Sequence, residues 1–177
     1  MPETTDLTFN TPAGQTVARN MMIAYLNTGT GELPVWSPFG KRVEDSASEY
    51  DWQKESKKDI LNNTYSTMKD PIMSQSFDAW ELENGDVAQI KIWNLAIKDH
   101  DAQALANQDV LIAHLYAGTA NSAVFAERYK ASAIEVAGLG GEGGGNIAMP
   151  ITVTYGGERE TGTAAIAEGG AITFTKT

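Results

Sequence analysis

Short apolar, β-branched or alternating runs recur along this chain, and bursts of glycine and other turn residues separate them. Residues 131–138 and 147–155 are rich in small and β-branched side chains, with a glycine-rich run at 138–145 between them. Glycine loses the most backbone freedom on folding and suits turns, so this predicts two strands and a loop. Residues 171–176 alternate as a third, half-buried strand. Upstream, residues 20–26 form a short apolar run closed by turn residues, which reads as a buried strand. Pro34 and Pro38 confine residues 34–40 to an edge or a packed turn, with Trp36 and Phe39 sealing one end of the core.

Between residues 46 and 61 the period of two places Glu49, Asp51, Gln53 and Glu55 on one face, and Tyr50, Trp52, Lys54 and Ser56 on the other. Asn62, Asn63 and Thr64 signal a turn, and residues 65–80 resume as extended chain, so the two segments predict a long hairpin. Its tip from Glu55 to Tyr65 has too few strongly apolar residues to bury within its own subunit. Asp86 stands as an N-cap before residues 87–98, whose apolar positions fit a helix lying on a sheet, with Lys91, Asn94 and Lys98 as a polar stripe. Because Ala88, Ile90 and Ile92 also alternate, a strand over 87–93 competes with that reading. Residues 109–118 predict a strand closed by glycine, and 123–130 lead into the segment at 131. The first 16 residues are polar and read as a loose arm whose only strand-like piece is Leu7–Phe9.

A length of 177 residues is expected to make one domain, and 42% hydrophobic with 20% charged residues is an ordinary globular composition. The absence of cysteine excludes thiol catalysis, thiolate metal sites and disulfides. Neither a basic leader with an apolar core nor a run of about 18 apolar residues is present, so the chain is expected to remain in the cytoplasm where it is made, with no membrane partner. A net charge of −10 opposes nonspecific adhesion to nucleic acid.

Candidate chemistry is sparse. Asp99, His100 and Asp101 are adjacent and cannot converge on one ion without a special loop, so they read as a solvated loop. His114, inside an apolar strand, reads as a half-buried, hydrogen-bonded histidine and not as a ligand. The run at 138–145 lacks the Gly-Lys-Ser/Thr ending of a phosphate loop, and Ser46, Ser48 and Ser122 have no histidine or nucleophile-elbow pattern. The expectation is therefore no catalytic site, no metal, no cofactor and no enzyme. Glu49, Asp51 and Glu55 remain as an acidic face. Lys54, Lys57, Lys58, Asp59, Asn62, Asn63 and Tyr65 remain as a contact arm within residues 44–65, because charged groups there cannot bury without partners.

Taken in order, Asn20-Met-Met-Ile-Ala-Tyr-Leu-Asn-Thr-Gly29, Pro34-Val-Trp-Ser37, residues 58–65, Gln75-Ser-Phe-Asp-Ala-Trp80, the glycine run at 138–145 and residues 149–157 carry a likeness over most of the chain. The chain resembles the major tail tube proteins of tailed bacteriophages, of the siphophage kind. The resemblance implies a mainly β fold: two packed antiparallel sheets, as a β-sandwich or barrel, with one flanking helix and a long hairpin arm. It also implies six subunits per ring, with inner strands closing one barrel and rings stacked into a virion tail tube. Tape measure, tail terminator and distal tail or baseplate proteins would be the partners, and DNA would pass through as cargo. An acidic lumen wall through Glu49, Asp51 and Glu55 would repel a sliding polyanion over roughly 8 Å at physiological salt. Two other readings stand beside it: the tube of a phage-derived injection machine, and a β-sandwich carbohydrate-binding module.

Overall fold

A computed structural model of the chain describes residues 6–177. Eleven strands and two short helices follow in order: β1 (Met22–Asn27), β2 (Trp36–Pro38), β3 (Ser48–Asp51), β4 (Glu55–Lys58), β5 (Thr64–Thr67), β6 (Ile72–Phe77), α1 (Val87–Trp93), α2 (Ala102–Leu105), β7 (Gln108–Thr119), β8 (Ala123–Val136), β9 (Ile151–Thr154), β10 (Arg159–Ile166) and β11 (Ile172–Lys176). The architecture is mainly β and every strand pairing is antiparallel.

β8 is the spine. Along one side it pairs with β7 from Ala123 to Ser132. On its other side it pairs first with β10, over Val124–Tyr129, and then with β9, over Ala133–Val136. The first half thereby belongs to a six-stranded body, β2-β1-β7-β8-β10-β11, and the second to a four-stranded wing, β8-β9-β6-β3. Among the described residues β4 and β5 pair only with each other, as a separate ribbon at the end of the β3–β6 hairpin.

Alternation explains the packing. On the body, Ala24, Leu26, Val110 and Ile112 point to one core, which they share with Met73, Phe77, Ile134, Ile151 and Val153 from the wing and with Trp80, Ala88 and Ile92. Each fully buried aliphatic side chain there contributes about 1.5–3 kcal/mol. The opposite face of the body gathers Tyr25, Trp36, Leu111, Ala113, Val124 and Ala126 into a second cluster. Trp36 and Phe39 are thus both buried but serve different clusters.

Asp86 caps α1 as the sequence predicts, accepting from the Gln89 amide at 3.2 Å, and the helix continues into a wider π turn at Asn94–Lys98. The expected apolar wheel is only partly inward: Gln89 is buried and donates to the Glu81 carbonyl, whereas Val87 and Ile90 stand exposed. In the arm expected at the N-terminus, residues 1–5 lie outside the described residues. Farther along, Phe9 bridges to Ala117, and the Gly118 amide donates to the Thr8 carbonyl, so that piece is tied to the end of β7.

β10 was not expected from the sequence, because Thr-Gly-Thr-Ala-Ala carries little hydrophobic contrast. Gly162 lies within it, so close to the Thr175 carbonyl of β11 that a Cβ would collide with it. Here glycine marks a close approach of two backbones, not a turn.

Candidate functional site

Register places the outer face of the wing residue by residue. Glu49, Ser74, Thr154 and Ala133 stand in one row across β3, β6, β9 and β8, and Ser76, Thr152 and Glu135 stand in the next. Asp51 lies opposite Ile72 on the same face. The alternate residues Met73, Gln75, Phe77, Ile151, Val153 and Ile134 are buried. Three carboxylates therefore stand among small hydroxyl and methyl side chains and the half-exposed Ile72, and no lysine or arginine occupies a strand position of this face.

The structure keeps Glu49 and Asp51 together but separates Glu55 from them. The expected unbroken alternation fails at Gln53, whose φ is 48°, with the Asp51 carboxylate accepting its amide at 3.0 Å. That left-handed residue ends the pattern, and Glu55 opens β4 in another sheet.

All residues of β4 and β5 are exposed. Lys57 stands opposite Tyr65 and Lys58 opposite Thr64, and the Lys58 ammonium reaches the Asn62 side chain at 3.3 Å. The tip is organised by Asp59, which accepts from the Leu61 amide (2.9 Å), the Asn63 amide (2.8 Å) and side chain (3.0 Å), and the Tyr65 hydroxyl (3.1 Å). These hydrogen bonds, led by those from Asn63, hold its carboxyl below the ordinary range. Asn62 takes φ 66° at the turn. Lys54 and Lys57 form no ion pair among the described residues. Ile60 and Leu61 project from the tip with almost their full surface in water, a feature that counting charges in this segment overlooks.

Both ends of the wing are unfinished. Among the described residues β3 pairs on one side only, with β6. At the other end β7 leaves β8 at Ser132, so Ala133–Val136 is hydrogen-bonded only to β9 among the described residues. Beside that open edge lies a cavity of about 550 Å³ whose apolar lining includes Ile97, Leu105, Ile134, Val136 and Leu139.

The titratable groups elsewhere have structural partners. His114 is buried, with Nε2 2.8 Å from the Glu127 carboxylate and Nδ1 3.0 Å from the Tyr116 hydroxyl, as expected of a satisfied histidine. Arg159 donates to Glu127 from β10 at 2.7 Å, and the Tyr129 hydroxyl donates at 3.3 Å. Burial pushes the Glu127 carboxyl up, but the hydrogen bonds and charges of His114 and Arg159 outweigh it and leave the group below its ordinary value. Burial, with the nearby Glu127 charge, raises the Tyr129 phenol to about 12. Hydrogen bonds from Lys130 and Lys176 lower Glu160 to about 2. His100 is exposed, while Asp99 meets Lys98 and Asp101 caps α2 through the Ala104 amide, so the trio diverges. Among the described residues no group of three or more His, Asp or Glu is placed to hold a metal ion. No helix there is long and apolar enough to cross a membrane.

The fold is one seen in contractile injection particles. A sheath/tube terminator of the PVC extracellular contractile injection system, in its extended state, is similar with a TM-score of 0.53 and 10% identity, over 85% of this chain and 99% of that one. A chain of the PVC sheath-tube complex in the extended state is similar with a TM-score of 0.50 and 9% identity, over 84% of this chain and 93% of that one. At such identity the likeness is one of fold. No protein-family profile and no curated protein matches the chain.

Proposed function

We propose that this protein is a structural tube subunit, whose copies join the wings of neighbours into a closed barrel with the acidic face inward and stack as rings. The observation that carries this is the wing itself: an outer face of small and acidic side chains bounded by two open strand edges. Four alternating antiparallel strands leave β3 running opposite to the β8 segment, so a neighbour's β3 laid along β8 continues the antiparallel order around a ring. Closure removes edges that would otherwise recruit other chains. Inside such a barrel, Glu49, Asp51 and Glu135 repel a polyanion, and the face offers no cation or aromatic ring to hold one. A wall of this kind favours DNA as transient cargo and a virion tail tube as the location.

Six copies per ring, and tape measure, terminator and distal tail or baseplate partners, follow from the tail tube resemblance. The β4–β5 ribbon, with Lys54, Lys57, Lys58, Asp59, Asn62, Asn63 and Tyr65, is the contact arm between subunits. Glu55 belongs to that arm and not to the lumen wall. A second reading, the tube of a contractile injection machine, is favoured by the fold likeness to such particles, and differs in its cargo.

Electron microscopy of the concentrated purified protein tests the proposal. Six-fold rings or stacked tubes are expected, with the wing lining the channel; persistent monomers, or a channel lined by the body, would overturn it. Glu49→Lys with Asp51→Lys in the assembled particle tests the cargo: DNA ejection should slow, and unchanged ejection would remove the repulsion argument.

A further inference from the structure

We infer that Tyr50 and Trp52 of one subunit fill the apolar cavity beside β8 of a second copy, a docking that rests on the ring closure proposed above. On the edge strand side, the two rings lie nearly parallel, 18° apart with centroids separated by 6.3 Å. Tyr50 is 48% exposed and Trp52 46% exposed, in a chain whose other two described tryptophans on strands or turns, Trp36 and Trp80, are buried. The two stacked rings stand half exposed at a sheet edge, beside a cavity of about 620 Å³ that they share with Met73, Tyr129, Tyr155 and Arg159. They form a preorganised anchor, because each ring brings a large apolar area with few torsions to freeze.

Facing considerations select the receptor. Tyr50 is registered opposite Met73, a core-side residue, so its ring lies on the core side of the wing and away from Glu49 and Asp51. The cavity at the opposite edge wraps around that edge: Ile134 and Val136 line it from the core side, and Ala133, Glu135 and Thr154 line it from the acidic face. A neighbour's β3 added to β8 therefore carries its aromatic rings toward Ile97, Leu105, Ile134 and Val136 while its carboxylates join the acidic face. The open backbone of Ala133–Val136 supplies a ladder of donors and acceptors for the added strand. His100, exposed beside α2, also lines the cavity and offers a polar partner to the phenol or indole. The docking is a strand addition with an aromatic anchor. The Ile60–Leu61 tip is the rival occupant from the same chain.

A cysteine-free sequence makes the test clean. Trp52→Ala and Tyr50→Ala should leave the thermal unfolding of the isolated subunit unchanged, since both side chains are half in water. Each should raise the concentration needed for rings by about tenfold or more, the size of effect expected of an interface anchor. In a second arm, Trp52→Cys combined with Val136→Cys is oxidised under mild conditions. A ladder of cross-linked species that stops at the ring number supports the docking, and so does a ladder formed without visible tubes. Normal rings from both alanine variants, with no ladder, overturn the docking but leave the ring proposal intact. Monomers under all conditions with no ladder overturn both. A ladder from Ile60→Cys with Val136→Cys, in place of the Trp52 pair, assigns the cavity to the hairpin tip and overturns the inference.

Discussion

The two halves of β8 differ in what surrounds them. From Val124 to Tyr129 the strand is paired on both sides, and its polar side chains find partners on other strands: Glu127 with His114 and Arg159, Arg128 with Asp109 at 2.6 Å. From Ala133 to Val136 the same strand is paired on one side, with an open cavity along the other. The first half is complete within one subunit. The second has satisfied faces but an unsatisfied edge, which is the state of an element awaiting another chain. Completeness in this protein thus changes along a single strand, at the point where β7 departs.

Three changes probe that contrast, and the largest effect belongs to the core that both halves share. Ile112→Ala on the body and Ile151→Ala on the wing should each cost about 2–5 kcal/mol in denaturant unfolding of the isolated subunit, because each leaves a cavity in the same cluster. A near-neutral Ile151→Ala would mean that the wing is unformed before assembly. Acid gives a smaller and graded effect, seated in the completed half. Glu127 and Glu160 have folded values below the ordinary 4.5, with Glu160 lowered to about 2, so the stability they contribute is fully present above about pH 4.5. It is lost as the pH falls through the folded values, toward about 2. Unfolding followed from pH 7 to pH 2 should show this loss, and Glu127→Gln should flatten it; an unchanged profile would refute the role of the cluster. The smallest effect on the subunit is expected from deleting residues 54–63 and closing the gap with glycine. Unfolding should shift by less than about 1 kcal/mol, since the ribbon is exposed throughout, while long tubes fail to form. Normal polymerisation would refute the contact arm, and a subunit that cannot fold would place the ribbon in the core.

Much of this organisation is local and was legible in the chain. Apolar runs closed by turn residues or glycine located β1 and β7, small and β-branched runs between glycines located β8 and β9, and alternation located β11. Asp86 marked the start of α1 against the competing strand, because a cap and a helix repeat depend only on neighbours in sequence. The exposure of the 54–65 segment followed from its charges, as did the lone, partnered character of His114 from its apolar setting. Glu49 and Asp51 share a face because side chains alternate.

What the tertiary structure alone decided are the long-range choices. Alternation could not show that Gln53 would adopt a left-handed backbone and carry Glu55 into another sheet. Nor could it show that Gly162 sits inside β10, where two backbones meet. The meeting of His114, Glu127 and Arg159 depends on three strands that pair across 13 and 32 residues of sequence. The open edge at Ala133–Val136 exists because β7 stops at Gln108 while β8 runs on. Sequence period dictates which face a residue takes, but strand partners are chosen by the closing of distant segments on one another. It is that choice which leaves the wing unfinished and gives the protein its docking edges.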